Sequence, residues 1–180
     1  MKQMKNIIII SSSPRTDGNS ETLAKAFMNG AIDGGNNVEL ICLRDYNLGY
    51  CYGCYACSDS GKCFQKDGMN EIADKLLKAD VIVLSTPVYF YTMSGQMKVF
   101  IDRLVPVYTK IKADIYLMCT AWDSDTVMLK LTIESMRGCT RDCFENCTEK
   151  GAIIVGGVVD KGEINGRAEL DEAYNMGQNC

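Results

Sequence analysis

The chain has 180 residues, enough for one ordinary domain with a sizeable buried core. Hydrophobic residues make up 47% and charged residues 23%, which excludes long disorder, and a net charge of −4 argues against a nucleic-acid binder held by phosphate electrostatics. Histidine is absent, which removes Ser-His and Cys-His catalysis and His metal ligands, so difficult chemistry falls to Cys, Lys, carboxylates, Tyr or a cofactor.

Met1 to Asn6 is mildly basic and leads into only four isoleucines, too little apolar length for a secretory leader. No stretch approaches the roughly 20 apolar residues of a membrane span. A cytoplasmic location is expected. Ile7-Ile8-Ile9-Ile10 reads as a strand buried on both faces. Leu23, Phe27 and Ala31 then recur every four residues and predict a helix, with Asn19 or Ser20 as its cap. Val38 to Leu43 is a second strand.

The pattern Met69, Ile72, Ala73, Leu76, Leu77 starts a second helix, and Val81 to Leu84 is a third strand. Met97, Phe100, Ile101, Leu104 and Val105 give a third helix, with Ser94 as a cap. Ile115 to Met118 is a fourth strand, Thr126 to about Met136 a helix, Ile153 to Val155 a fifth strand, and Leu170 to Met176 a closing helix. Buried strands alternating with helices predict a parallel sheet covered on both faces.

From Arg44 to about Gly68 there is no apolar periodicity. Its length of about 25 residues far exceeds the roughly 2–6 of ordinary connections, which marks it as functional. It holds Cys51, Cys54, Cys57 and Cys63 in the spacing C-x2-C-x2-C-x5-C, four of the ten cysteines in the chain. Three thiolates of one short loop can then face one centre, and bacterial ferredoxins use the same leading run for a [4Fe–4S] cluster. Gly53 and Gly61 ease the turns. Structural zinc sites usually draw ligand pairs from two separated knuckles. On the residues alone, cluster ligands, redox-active thiols, and another metal or disulfides all stay open.

Cys139, Cys143 and Cys147 follow at i, i+4 and i+8, which on a helix is one face. They read either as small buried apolar side chains or as an accessory metal or redox site. Cys42 and Cys119 fall in strands and read as inert core, and Cys180 as a disordered terminus.

Two loops carry chemistry. Ser11-Ser12-Ser13-Pro14-Arg15-Thr16-Asp17-Gly18-Asn19-Ser20 joins the first strand to the first helix. Such a turn offers backbone N–H groups and the positive end of a helix dipole to an anion. It lacks the G-x-G-x-x-G and G-x-x-x-x-G-K-[ST] patterns of dinucleotide and nucleoside triphosphate sites, so a phosphate monoester suits it best. The plain alternative is a polar turn with a good cap. After the third strand, Ser85-Thr86-Pro87-Val88-Tyr89-Phe90-Tyr91 places three aromatics where open α/β sheets bind ligands, suiting a planar heterocycle or, alternatively, a dimer contact.

These two loops, the second continuing as T-M-S-G-Q-M-K-V-F-I-D-R, resemble the NADPH-dependent FMN reductase family of flavodoxin-like proteins over roughly residues 5 to 105. The cysteine spacing resembles that family's iron–sulfur flavoprotein branch. The resemblance implies a flavodoxin-like three-layer α/β sandwich with a five-stranded parallel sheet in the order 2-1-3-4-5. It implies a single FMN-binding domain over residues 1–180, with a Cys-rich insert at about 44–68.

By that similarity, Ser11, Ser13, Arg15, Asn19 and Ser20 would hold the FMN phosphate. Pro87, Val88, Tyr89, Phe90 and Tyr91 would contact the isoalloxazine and ribityl. Thr120, Ala121 and Trp122 would lie on another side of the ring, although Trp122 stands where small residues are usual. Cys51, Cys54, Cys57 and Cys63 would ligate a [4Fe–4S] cluster. FMN would carry the chemistry, with no catalytic side chain.

Electrons would pass from NAD(P)H, a transient co-substrate, or from ferredoxin to a quinone or flavin acceptor. The alternative is an electron carrier with little nicotinamide turnover, and a third reading is a redox or metal sensor without enzymatic activity. The exposed aromatic edge implies a partner subunit over the flavin, hence a homodimer or dimer of dimers.

Overall fold

The computed structural model describes residues 3–180. Met1 and Lys2, the start of the stretch weighed above as a leader, lie outside the described residues. Five parallel strands form the sheet: β1 (Asn6–Ser11), β2 (Asn37–Cys42), β3 (Val81–Tyr89), β5 (Asp114–Thr120) and β6 (Thr148–Val155). A two-residue strand, β4 (Thr92–Met93), pairs antiparallel with the end of β3. The order β2-β1-β3-β5-β6 is the flavodoxin-like order expected from the sequence, with β4 as an addition.

The isoleucine run of β1 lies between β2 and β3 and divides its side chains between two cores. Ile7 and Ile9 pack with Leu23, Phe27 and Ala31 of α1 (Asn19–Asp33) and Ala173 of α6 (Ala168–Asn179). Ile8 and Ile10 pack in the other core with Met69 and Ile72 of α3 (Met69–Leu76), Phe100 of α4 (Gly95–Asp102), and Ile133 of α5 (Thr126–Thr140), while the four-residue α2 (Cys57–Ser60) lies in the insert. Alternate side chains of a strand point to opposite faces, so a continuous apolar run needs helices on both. Gly30 and Gly177 let α1 and α6 touch: a Cβ on Gly30 would lie 1.9 Å from the Tyr174 carbonyl oxygen.

Several boundaries differ from the periodicity. β3 runs on to Tyr89, so most of the aromatic segment read as a loop is strand. Pro87 is tolerated there because it sits at the last rung of the ladder, opposite Thr120. α4 stops at Asp102, and Leu104 and Val105 follow it in turns. α5 continues to Thr140, which puts Cys139 on the helix and Cys143 and Cys147 beyond it. The shared helical face expected of these three is therefore absent. Cys139 and Cys147 are half-buried against the core, whereas Cys143 is exposed and its thiol faces the Gly138 carbonyl at 3.1 Å.

Cys42 and Cys119 are core residues as expected, and burial pushes the Cys119 thiol up to about 12. Cys180 is buried rather than disordered, because it packs with the α1–α6 core and its thiol donates to the Gly177 carbonyl at 3.0 Å. Among the described residues no helix is long and apolar enough to cross a membrane.

Candidate functional site

The carboxyl ends of β1, β3, β5 and β6 point to one rim of the sheet. β1 ends at Ser11, which pairs with Ser85 on β3, and the Ser12 N–H continues the pairing to the Ser85 carbonyl at 2.9 Å. The chain then turns through Ser13 to Gly18 into α1. The Ser13 hydroxyl donates to the Arg15 carbonyl at 2.8 Å and accepts from the Arg15 N–H at 3.3 Å, which curls the turn. Gly18 is required by close approach, since a Cβ there would lie 2.6 Å from Ser13 Oγ.

Gly18, not Asn19 or Ser20, occupies the N-cap of α1, and no side chain caps the helix. The Asn19 side chain is engaged elsewhere. It donates to the Asp160 carbonyl at 3.0 Å and accepts from the Gly162 and Ile164 N–H groups, tying the loop after β6 to this helix. The first turn of α1 thus presents backbone N–H groups and the positive end of its dipole without a side-chain oxygen to satisfy them.

Beneath this turn lies a buried charge pair. The Glu21 carboxylate, 1% exposed, binds Arg44 and sits 2.7 Å from Lys25, while Arg44 also donates to the Ser13 carbonyl at 3.4 Å. Burial pushes the Glu21 carboxyl up, but Lys25 and Arg44 outweigh it and hold it below its ordinary range.

The β3 segment turns at Phe90-Tyr91 into β4, with Val88 opposite Met93 and Tyr89 opposite Thr92. Both turn residues are left-handed, at φ 51° and 60°. A two-residue hairpin demands this, normally of Asn-Gly, so two bulky aromatics there are strained. Tyr91 is braced by donating its hydroxyl to Asp123 on the β5–α5 loop at 2.8 Å. Asp123 itself lies below the usual carboxylate range, held there by the Asp125 N–H and then by Tyr91.

A half-open cavity of about 230 Å³ lies between these loops. Ser13, Arg15, Asn19 and Ser20 line it from the first loop, Pro87, Val88 and Tyr89 from β3, and Thr120 and Trp122 from the end of β5. Of the residues singled out in the sequence, Ser11 and Ala121 are buried behind the lining, and the wholly exposed Phe90 and half-exposed Tyr91 stand outside it. Pro14, Val158 and Val159 line it unforeseen. The last two follow β6, and the rule that ligands sit beyond the carboxyl ends of strands pointed to them. A larger open groove of about 640 Å³ flanks α6 and draws on none of these loops.

The insert forms a second cavity, of about 320 Å³, lined by Cys51, Cys54, Cys57 and Cys63 together with Tyr52, Tyr55 and Phe64. The loop is ordered by local contacts. Asn70 at the start of α3 clamps the Cys63 backbone, accepting its N–H at 2.9 Å and donating to its carbonyl at 2.8 Å. Gly53, Tyr55 and Gly61 take left-handed conformations, which fits the two glycines expected at turns. Tyr50 meets Tyr52 edge-on at 5.2 Å between ring centroids.

Burial raises the Cys57 thiol, and its neighbours Cys63, Cys51 and Cys54 add to that by repulsion, against a bond from its own N–H. All four cysteines line this one cavity. Among the described residues, however, no three His, Cys, Asp or Glu side chains are drawn together as ligands of one metal ion.

Residues 5–136 match the family model of NADPH-dependent FMN reductases. The chain is 41% identical to an iron-sulfur flavoprotein of Methanocaldococcus jannaschii over 101 residues, 56% of this chain and 52% of that protein. It is 35% identical to an iron-sulfur flavoprotein of Archaeoglobus fulgidus over 103 residues, 57% of this chain and 46% of that one. The chain thus spans about half the length of the curated relatives it matches.

In fold it is similar to an NAD(P)H:quinone oxidoreductase from Methanothermobacter marburgensis, with a TM-score of 0.78 at 18% identity over 98% of this chain and 97% of that one. An azoreductase from Bacillus anthracis gives 0.73 at 15% identity, covering 98% and 100%. The chain belongs to the NADPH-dependent FMN reductase family.

Proposed function

We propose that this chain is an FMN-dependent oxidoreductase that passes electrons from NAD(P)H or ferredoxin to an acceptor such as a quinone or flavin, by way of a [4Fe–4S] cluster on Cys51, Cys54, Cys57 and Cys63. The observation that carries the reading is the single cavity lined by loops from four neighbouring strand ends, with the uncapped start of α1 on one side and aromatic side chains on the other. Its volume of about 230 Å³ suits the phosphate and ribityl of FMN, and leaves a flat ring at the mouth beside Tyr89 and Trp122.

FMN supplies hydride acceptance and the release of one or two electrons. The chain's own residues bind and orient it. Backbone N–H groups of the Ser13–Ser20 turn and the Arg15 guanidinium neutralise the phosphate. The Arg44–Glu21 pair holds the Ser13 carbonyl and fixes the turn from below. Val158 and Val159 close the apolar side.

The donor set of the insert fits an iron–sulfur cluster in number and chemistry: four cysteines and no histidine to compete with them. Bound iron would relieve the mutual repulsion of the thiolates. The described residues, not yet gathered as ligands of a single ion, would close on the cluster as it is loaded. The names of the relatives support the same assignment.

An anaerobic absorption spectrum with flavin, iron and sulfide assays tests the proposal. One FMN and four iron and four sulfide per chain are expected. Failure to bind added FMN sinks the oxidoreductase reading. Absence of iron after anaerobic reconstitution sinks the cluster. Slow NAD(P)H oxidation beside rapid reduction by ferredoxin would favour an electron carrier.

A further inference from the structure

We infer that Arg103 is the positioning residue of the cysteine loop, closing the loop at its base and keeping a fixed cation beside Cys63. Arg103 follows the last residue of α4 and is 2% exposed. One guanidinium nitrogen donates to the Gly49 carbonyl at 2.6 Å and to Asp67 Oδ2 at 2.7 Å, and the other donates to Asp67 Oδ1 at 3.1 Å. Asp67 Oδ2 also accepts the Gly49 N–H at 3.0 Å. Gly49 precedes Cys51 and Asp67 follows Cys63, so this ring of bonds joins the two ends of the segment that carries all four thiols.

A forked, bidentate guanidinium suits such a junction, because it fixes direction as well as distance. Burial opposes the Arg103 charge, and the Asp67 carboxylate and then the Cys63 thiol more than offset this. Its Nε–H is buried without a hydrogen-bond partner. A buried, unsatisfied donor on a cation is costly and calls for a use. Cys63 sulfur, carrying negative charge once it ligates iron, is the acceptor at hand. Hydrogen bonds and positive charge at a cluster's sulfurs favour its reduced form. For the identity of the ligand, this inference rests on the cluster proposed above. The closure of the loop does not.

The test uses the full chain carrying FMN and reconstituted anaerobically with iron and sulfide, as wild type, Arg103→Gln, Arg103→Lys and Asp67→Asn. Amide hydrogen exchange across 50–66 reads the closure, and the midpoint potential of the cluster reads the charge at Cys63. Arg103→Gln and Asp67→Asn are expected to speed exchange there about tenfold, with FMN affinity unchanged. Arg103→Gln is expected to make reduction of the cluster about tenfold less favourable, which is about 59 mV for one electron. Arg103→Lys should restore the potential without restoring the protection.

Unchanged exchange in both Arg103→Gln and Asp67→Asn overturns the inference. So does a potential that fails to separate Gln from Lys. Wild type that takes up no iron overturns the cluster assignment instead, and exchange then decides the closure alone. If Arg103→Gln does not fold, Asp67→Asn opens the same ring from its half-buried side.

Discussion

The Ser94 hydroxyl donates to Ser12 Oγ at 2.9 Å, a bond between two fully buried side chains that lie 82 positions apart. Ser94 is also the N-cap of α4 and accepts the Met97 N–H at 3.3 Å, while Ser12 donates to the Ser85 carbonyl at 3.3 Å. One hydroxyl pair therefore locks the turn after β1 to the helix that follows the aromatic hairpin. Ser94→Ala removes a cap and leaves Ser12 without its donor. A loss of about 2 kcal/mol in stability is expected from the two effects together. FMN affinity should fall several-fold as well, because the two walls of the cavity lose their tie. Denaturant unfolding and a flavin titration check both.

The left-handed Phe90-Tyr91 turn gives a prediction of opposite sign. Phe90 is wholly exposed, so replacing the pair by Asn-Gly removes strain with little loss of packing. A gain of about 1 kcal/mol is expected, or about 2–4 °C in melting temperature. Tyr91 also gives up its bond to Asp123, which tempers the gain. Turnover with NAD(P)H should drop in the same variant, since the hairpin that carries Tyr89 at the mouth loses its Tyr91–Asp123 brace. Calorimetry and steady-state rates separate the two.

Glu21 sets an acid limit. Its carboxyl lies below its ordinary value of 4.5 in the folded protein, so the unfolded chain takes up protons first as the pH falls. Its contribution is complete above about 4.5 and is lost as the pH drops through the lower folded value. Stability should fall steeply in that window, and Glu21→Gln should flatten the slope. At neutral pH the same change leaves Arg44 with only the exposed Asp45 carboxylate at 3.7 Å, at a cost of about 2 kcal/mol. Unfolding curves between pH 3 and 7 test this; equal slopes for the two proteins would count against it.

The cysteines divide by place. Cys54→Ser should cut the iron retained after anaerobic reconstitution by more than half, because it removes a sulfur from the cavity in the insert. Cys143→Ser should leave iron and flavin content unchanged, since Cys143 sits beyond α5 against the Gly138 carbonyl. Equal iron in Cys54→Ser and wild type would remove the insert as the cluster site.

Periodicity located the long strands and helices, because burial on two faces forces apolar runs in β1, β3 and β5 and helical spacing in α1, α3 and α4, whereas the order of the main sheet came from the family resemblance. Loop composition pointed to the two loops that supply much of the cavity lining, because hydroxyl-rich and aromatic segments stand out at strand ends. What lay beyond reach depended on contacts between distant positions. Asn19 reads as a cap, yet its amide is spent on the loop after β6. Phe90 reads as one residue of an aromatic loop, yet it stands wholly exposed at a left-handed hairpin turn. Arg103 is one basic residue at a helix end until Gly49 and Asp67 close around it. Local pattern determines what each segment must bury. Only the packed tertiary structure decides which polar groups meet, since hydrogen-bond partners far apart in the chain leave no period in it.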